Sequence, residues 1–297
     1  MKKREPENSI ALVQIAQGCL GNCSFCATKL ARGRLRSFEI KSIIEEIKLA
    51  LEEGKKEIQI CSQDNAIFGL DRGRPGLSAL LEEILKIKKN FRIRIGMMTP
   101  KFTKQILKEL ISLFQDKRIY KYVHIPVQSG DNKILKKMRR NHTVEDFLEI
   151  VKVFRESFQD FLIATDIIVG FPGEDKKSFQ KTYNLIEKVK PDVLNITKFS
   201  KREGTPAAQF KDVSERIKTE RSKVLSELSE KIREKKNREF LGRKFEVLII
   251  QKGKNNTFLA RTNFFKAVVL NQGRIGEFTK TEIIDFKPNY LIGKLIE

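Results

Sequence analysis

The sequence predicts an α/β fold, a partial (β/α)6 barrel followed by a small all-β barrel at the C-terminus. Three observations carry that prediction. Short β-rich runs alternate six times with stretches whose apolar residues recur every three or four positions. A turn at Gly204 and Pro206 ends this alternation, and a long charged stretch of helical period follows. Beyond Gly242 the period changes to two, as in strands half buried in a sheet. The 297 residues are enough for one large domain and one small one.

Residues 1–9 precede the first run and read as a linker remnant. The strand runs are 10–17, 57–61, 92–97, 122–127, 162–169 and 193–199, and helical patterns fill 40–51, 77–87, 102–114, 132–138, 144–154 and 177–189. Strands and helices in strict succession call for a parallel sheet. Six units fall short of the eight that close a barrel, so 10–210 is read as an open one. Ligands in such folds sit beyond the carboxyl ends of the strands. That rule gathers 18–26, 62–65, 99–100, 128–131 and 170–174 around one mouth. The connection 211–243 has Ile217, Val224, Leu225, Leu228 and Ile232 as its apolar stripe. Residues 244–297 alternate over 245–251, 257–270 and 275–284, with turns between, and read as a small antiparallel barrel of a kind that often binds nucleic acid.

Charge and cysteine usage set the class. Lysine and arginine number 59 against 38 acidic residues, a net charge of +21. A hydrophobic fraction of 40%, with 21 phenylalanines, excludes a disordered polybasic tail. No run approaches the roughly 20 apolar residues that span a bilayer, and the charged start has no signal-peptide core. The expectation is a cytoplasmic protein, not in a membrane, whose partner is a polyanion. Of four cysteines, Cys19, Cys23 and Cys26 fall within eight residues, which suggests a metal or cluster and not disulfide staples. Three thiolates in this C-x3-C-x2-C loop can each bind one iron of a [4Fe-4S] cluster and leave the fourth iron open. Zinc or inert thiols are the alternative, although structural zinc wants four closed ligands and neither a histidine nor the fourth cysteine lies nearby in sequence.

The cysteine loop, with Phe25 before its third cysteine, resembles that of the radical S-adenosylmethionine (SAM) superfamily. HIPVQSGDNKILKKMRR (124–140), TDIIVGFPGE (165–174) and FSKREGTPA (199–207) resemble motifs of the tRNA methylthiotransferases, and the last 54 residues resemble their RNA-binding TRAM domain. KLARGRLRSF (29–38), SQDN (62–65) and RIGMMTP (94–100) are similar to the archaeal and eukaryotic branch, which acts on N6-threonylcarbamoyladenosine. The resemblance implies that Cys19, Cys23 and Cys26 ligate a [4Fe-4S] cluster whose open iron takes SAM. Reductive cleavage would then release a 5′-deoxyadenosyl radical that removes hydrogen from C2 of the adenine, with an electron donor of flavodoxin or ferredoxin type. It further implies cofactor contacts from Phe25, Gln63, Asp64, Gln128, Ser129, Arg140, Ile168 and Gly170. For five of these a plain structural role stays open: loop anchor for Phe25, Asx turn for Gln63 and Asp64, solvated basic face for Arg140 or its rival Arg139, tight turn for Gly170. Glu174 reads as a first-turn helix residue, Cys61 as core packing, His124 as a structural histidine or a proton carrier, and His142 as a loop residue without a role.

The basic surplus fits phosphate contact with tRNA. Lys252, Lys254, Arg261 and Lys266 on the terminal hairpins are its candidates, with Lys133–Arg140 near the mouth. Phe264 or Phe265 could stack on a base, while alternation turns the other into the barrel. The family carries a second cluster on an upstream domain, and beyond the loop this sequence offers only Cys61. The second [4Fe-4S] cluster is therefore expected from a domain lost by truncation or in a short gene, or from a separate N-terminal-domain polypeptide. A single-cluster RNA modifier such as a methyltransferase, and a non-catalytic RNA-binding module, are the competing readings.

Overall fold

The computed structural model describes residues 8–296. Of the segment read as a linker remnant, 1–7 lie outside the described residues. Asn8 and Ser9 are engaged in pairing: Asn8 bridges Gln251, and the Ser9 amide donates to the Ile250 carbonyl at 2.7 Å.

The first domain is built on β1 (Ile10–Gln14), β2 (Glu57–Cys61), β3 (Arg92–Ile95), β4 (Tyr122–His124), β5 (Leu162–Val169) and β6 (Val193–Lys198). The strands β1-β2-β3 and β4-β5-β6 form two wholly parallel sheets. A bridge between Ile93 and Ile119 joins them, and the Met98 amide donates to the His124 carbonyl at 3.0 Å. The result is one open arc in the order 1-2-3-4-5-6, the partial barrel that six βα units predict. Helices α1 (Thr28–Arg32), α2 (Ile40–Glu52), α3 (Leu77–Leu85), α4 (Pro100–Gln105), α5 (Leu107–Leu113), α6 (Asn132–Lys137), α7 (Val144–Ser157) and α8 (Lys176–Val189) punctuate it. The core includes Ile43, Ile47, Leu81, Phe147, Ile150 and Ile186 from the helices, with Val13, Ile58, Ile93, Val123 and Ile163 from the strands. Each such side chain contributes roughly 1.5–3 kcal/mol by leaving water. The opposite strand faces, which line the lumen, carry Gln59, Arg94, His124, Asp166 and Asn195 beside the apolar Tyr122 and Ala164.

Two corrections concern helices. The run 102–114 is two helices, broken at Ile106, whose φ of −115° and ψ of 20° leave the helical region. In α9 (Glu215–Arg238) the buried face includes Lys218, Arg221, Leu225, Ser229 and Ile232, while Ile217 is exposed. Ion pairs explain the rotation: Lys218 Nζ reaches Asp212 at 2.9 Å and Glu215 at 2.8 Å, and Arg221 reaches Glu174 at 2.6 Å. These partners offset part of what burying the charges costs.

The second domain comprises β7 (Lys244–Lys252), β8 (Phe258–Thr262), β9 (Ala267–Leu270), β10 (Phe278–Lys287) and β11 (Tyr290–Ile296), closed in the order β8-β9-β11-β10-β7. It departs from the antiparallel expectation in one pair, since β9 and β11 run parallel. The run 257–270 is two strands because the chain turns at Phe265, which has a φ of 66°. This barrel covers the amino ends of the first domain's strands. The Tyr120 and Tyr122 rings meet Phe265 at 5.0 and 4.8 Å, Arg92 pairs with Glu246, and Arg243 with Asp160 at 2.5 Å. The carboxyl ends stay open.

Candidate cluster and cofactor site

The cysteine loop begins at Gly18, which has a φ of 74° and whose Cβ, were there one, would lie 2.1 Å from the Arg34 carbonyl oxygen. Only glycine fits where the two chain segments cross. Ser24 pins the loop from inside. It is fully buried, its hydroxyl donates to the Lys137 carbonyl at 2.8 Å and its amide to that of Met138 at 3.0 Å, and its own carbonyl accepts from the Ala207 amide at 2.8 Å. Segments 124–140 and 199–207 thereby grip the same three-cysteine turn.

Cys19, Cys23 and Cys26 are free, half-buried thiols lining one cavity of about 340 Å³. The Gly21 amide donates to Cys19 Sγ at 3.1 Å, Arg140 Nη1 to Cys23 Sγ at 3.3 Å, and the Cys26 thiol to Thr28 Oγ1 at 3.1 Å. Burial pushes the Cys19 thiol up, and the Gly21 N–H opposes that shift. Among the described residues no three His, Cys, Asp or Glu side chains converge as ligands of a single metal ion. Three thiols lining one cavity, each able to take a different iron, make a donor set that suits a cluster.

The same cavity gathers most of the sequence candidates: Phe25, Gln63, Asp64, Gln128 and Arg140 line it. Phe25 is backed edge-on by the buried Phe171 ring at 6.4 Å. The Oε1 atoms of Gln63 and Gln128 are buried without a protein partner, and Gln128 holds a φ of 74°, a conformation that persists in a non-glycine residue only where the surroundings enforce it. Asp64 is already engaged: its carboxylate accepts from the Thr99 amide and hydroxyl, at 3.0 and 2.6 Å, and from Ala66 at 3.1 Å. Burial nevertheless pushes its pKa up. Three of the expected cofactor contacts lie outside this lining. Ser129 is not among the cavity-lining residues; its buried Oγ accepts from the Asp131 amide at 3.2 Å, closing a turn. Gly170 donates its amide to Glu174 at 3.0 Å, and a Cβ there would stand 2.3 Å from Lys218 Cγ, so its glycine serves packing of α9. Ile168 lines a neighbouring cavity with Phe25 and Asp166.

A model of the radical SAM superfamily matches residues 13–186, and one of the TRAM domain matches 238–296. A probable threonylcarbamoyladenosine tRNA methylthiotransferase of Archaeoglobus fulgidus is 52% identical over 99% of this chain and 69% of its own length. The chain belongs to this family of the radical SAM superfamily. A relative of that name from Pyrococcus abyssi is 44% identical, with 68% of its length matched, whereas the human threonylcarbamoyladenosine tRNA methylthiotransferase is 32% identical over 49% of its length. This radical SAM chain thus spans about two thirds of its archaeal relatives and half of the human one. The fold is shared with the radical SAM methyltransferase TsrM of Kitasatospora setae, at a TM-score of 0.55 and 18% identity over 67% of this chain and 36% of that one. As a radical SAM enzyme the chain uses a [4Fe-4S] cluster and S-adenosylmethionine.

The four basic residues expected to meet phosphate are placed unequally in the TRAM barrel. Lys252 and Lys254 are exposed. Lys266 is buried, with Asp192 the main attractive charge nearby, and desolvation lowers its pKa to about 8. Arg261 lies over the Phe265 ring at 4.4 Å, at the junction with Tyr120 and Tyr122. Phe264 is in the barrel core and Phe265 is covered by those tyrosines, so neither ring is open to a base.

Three residues have stronger positions than their sequence context signals. His142 is buried on the cavity wall and bonds the Val127 carbonyl at 3.3 Å; burial and Arg140 lower its pKa to about 4. Glu174 precedes α8 and is a buried partner of Arg221, pushed up to about 7 by desolvation. His124 bonds Asp166 at 2.7 Å within the lumen. No helix among the described residues is long and apolar enough to cross a membrane.

Proposed function

We propose that this chain is the radical-generating and RNA-binding part of an enzyme that adds a methylthio group at C2 of N6-threonylcarbamoyladenosine, at position 37 beside the anticodon of tRNA. The observation that carries the reading is the union of three thiols on one cavity with a TRAM barrel, in a chain 52% identical to a probable enzyme of that name. When bound, the cluster and S-adenosylmethionine supply a one-electron cleavage whose carbon radical takes hydrogen from an unactivated C–H.

The chain's own residues hold and orient. Cys19, Cys23 and Cys26 ligate; Arg140, already bonded to Cys23 Sγ, offsets thiolate charge. Gln63 and Gln128 present unpaired buried acceptors to an ammonium or hydroxyl donor. Phe25 and Ile168 offer apolar contact, and Asp64 fixes the loop through Thr99. Lys252 and Lys254 meet phosphates. The electron comes from a flavodoxin- or ferredoxin-type donor in the cytoplasm. Three of the four cysteines serve this cluster, so the second one, which handles sulfur, draws on a domain or polypeptide other than this sequence.

Anaerobic reconstitution should give about four irons and four sulfides per chain, with 5′-deoxyadenosine released on reduction. Two full clusters per chain would overturn the single-cluster assignment. In tRNA from a deletion strain, mass spectrometry should find threonylcarbamoyladenosine retained and its 2-methylthio derivative lost; an unchanged derivative would overturn the substrate assignment.

A further inference from the structure

A second cavity, of about 380 Å³, adjoins the first and shares Phe25, Cys26, Thr28, Gln128 and Asp166 with it. Along β6 and beyond, its wall is Asn195, Thr197, Lys198, Ser200 and Arg202. We infer that this cavity seats the N6 substituent of the substrate adenine, with Arg202 binding the substituent's carboxylate. The inference rests on the proposed function above and adds the part of the site that reads the modification.

Charge varies along the wall. Asn195 stands opposite Asp166 in the β5/β6 register, and Asp166 Oδ1 accepts from both Asn195 Nδ2 at 2.8 Å and His124 Nε2 at 2.7 Å. That acidic end repels a carboxylate. Thr197 and Lys198 lie farther towards the mouth, opposite Ile168 and Val169. Lys198 is partly neutralised by Glu215 at 3.4 Å and bonds Thr219 at 3.3 Å. Arg202 lies beyond the strand. Its carbonyl is fixed by the Thr205 amide at 3.1 Å and hydroxyl at 2.6 Å, while no hydrogen bond or ion pair among the described residues engages its guanidinium. A held backbone with an unpaired planar fork suits bidentate capture of a carboxylate.

The ligand chemistry matches this order. A threonylcarbamoyl group carries a ureido linkage, a hydroxyl and one carboxylate. On the adenine ring C2 and C6 flank N1, so a base that presents C2 to the thiol-lined cavity sends its N6 substituent away from it, into adjoining space. The Asn195 Oδ1 can accept a ureido N–H, the Thr197 and Ser200 hydroxyls suit the carbonyl and hydroxyl, and the carboxylate reaches the rim at Arg202.

The test is fluorescence anisotropy of the reconstituted full chain with anticodon stem-loops carrying adenosine, threonylcarbamoyladenosine or its carboxamide analogue at one position. Wild type should bind the threonylcarbamoyl RNA at least roughly tenfold more tightly than either other RNA, the scale of one charge-assisted hydrogen-bonded contact. Arg202→Ala should bring the ratio of Kd values between the carboxylate and carboxamide RNAs to about one, and Arg202→Lys should restore part of it. Asn195→Ala should weaken both modified RNAs together. An Arg202→Ala chain that keeps the wild-type ratio overturns the assignment while leaving the proposed function standing. A wild-type chain that does not distinguish modified from unmodified RNA overturns both.

Discussion

Glu174→Gln tests whether burial or ion pairing governs the support behind the cysteine loop. The Glu174 carboxyl is buried, accepts the Gly170 amide at 3.0 Å and meets Arg221 at 2.6 Å, yet desolvation pushes its pKa up to about 7. A carboxyl whose folded value exceeds its ordinary 4.5 binds more protons in the folded state between those limits. Its contribution is therefore complete below pH about 4.5 and is lost as pH rises through about 7. The full span amounts to roughly 3 kcal/mol, of which about 2 kcal/mol falls between pH 5.5 and 7.5. Glutamine keeps the shape and the acceptor but cannot titrate. Urea unfolding at a series of pH values should show the variant gaining on wild type by about 2 kcal/mol across that window, a midpoint change on the order of 0.7 M if the slope is ~3 kcal/mol per molar. A difference that is flat with pH, or that grows in favour of wild type, would refute the reasoning. The second outcome would mean that the Arg221 charge outweighs burial.

Gly170→Ala places a Cβ 2.3 Å from Lys218 Cγ at a φ of 69°, and should cost about 3 kcal/mol in the same assay; a loss below about 0.5 kcal/mol, the scale of a neutral surface change, would contradict the packing. Ser24→Ala leaves the Lys137 carbonyl without its donor at 2.8 Å, and should cost about 1–3 kcal/mol and lower the iron retained after desalting. His142→Gln should act with pH in the opposite sense to Glu174→Gln. The wild-type imidazole, lowered to about 4, supports the fold above about pH 6.5 and loses up to roughly 3 kcal/mol as pH falls towards 4. The glutamine variant should lack that acid-side loss, and parallel urea midpoints from pH 7.5 to 4.5 would contradict the assignment. Cys23→Ser should abolish the visible absorbance of the reconstituted protein while leaving far-ultraviolet circular dichroism unchanged, because Ser24 carries the loop's anchoring bonds.

What the sequence made legible was local. The six strand–helix alternations and the spacing of Cys19, Cys23 and Cys26 are signals held within a few residues, and they located both the barrel and its thiols. What stayed illegible depends on partners far along the chain. Ser24 looks like filler between cysteines until Lys137, 113 residues on, supplies its acceptor. Lys218 and Arg221 break the apolar period of α9, and a hydrophobic pattern assigns such residues to solvent; they are interior because Asp212, Glu215 and Glu174 meet them there. Lys266 and Arg261 count towards a basic domain in any composition, but the count carries no direction, and both face the junction with the first barrel. His142 sits among polar residues in sequence and against a cavity wall in space.

The placement of the second domain constrains how one RNA could meet the whole surface. The TRAM barrel covers the amino ends of the strands, through Phe265 against Tyr120 and Tyr122 and through Ile250 and Gln251 beside Ser9 and Asn8. The thiols open at the carboxyl ends. The longest strand of the first domain, β5, has eight residues and so separates the two ends by roughly 26 Å. Phosphate contacts made by Lys252 and Lys254 therefore cannot seat the base; on the proposed reading they set the register of the stem, as phosphate contacts do elsewhere, and leave selection to the pocket. Contacts near the base must come from the mouth, where Lys29, Arg32, Arg34 and Arg36 are exposed within eight residues of chain next to the cysteine loop. A tRNA bound by both ends spans the outside of the barrel, and its affinity should fall with salt more steeply than that of an anticodon stem-loop too short to reach the TRAM lysines. Equal salt slopes for the two RNAs would show that the terminal domain takes no part in holding the substrate.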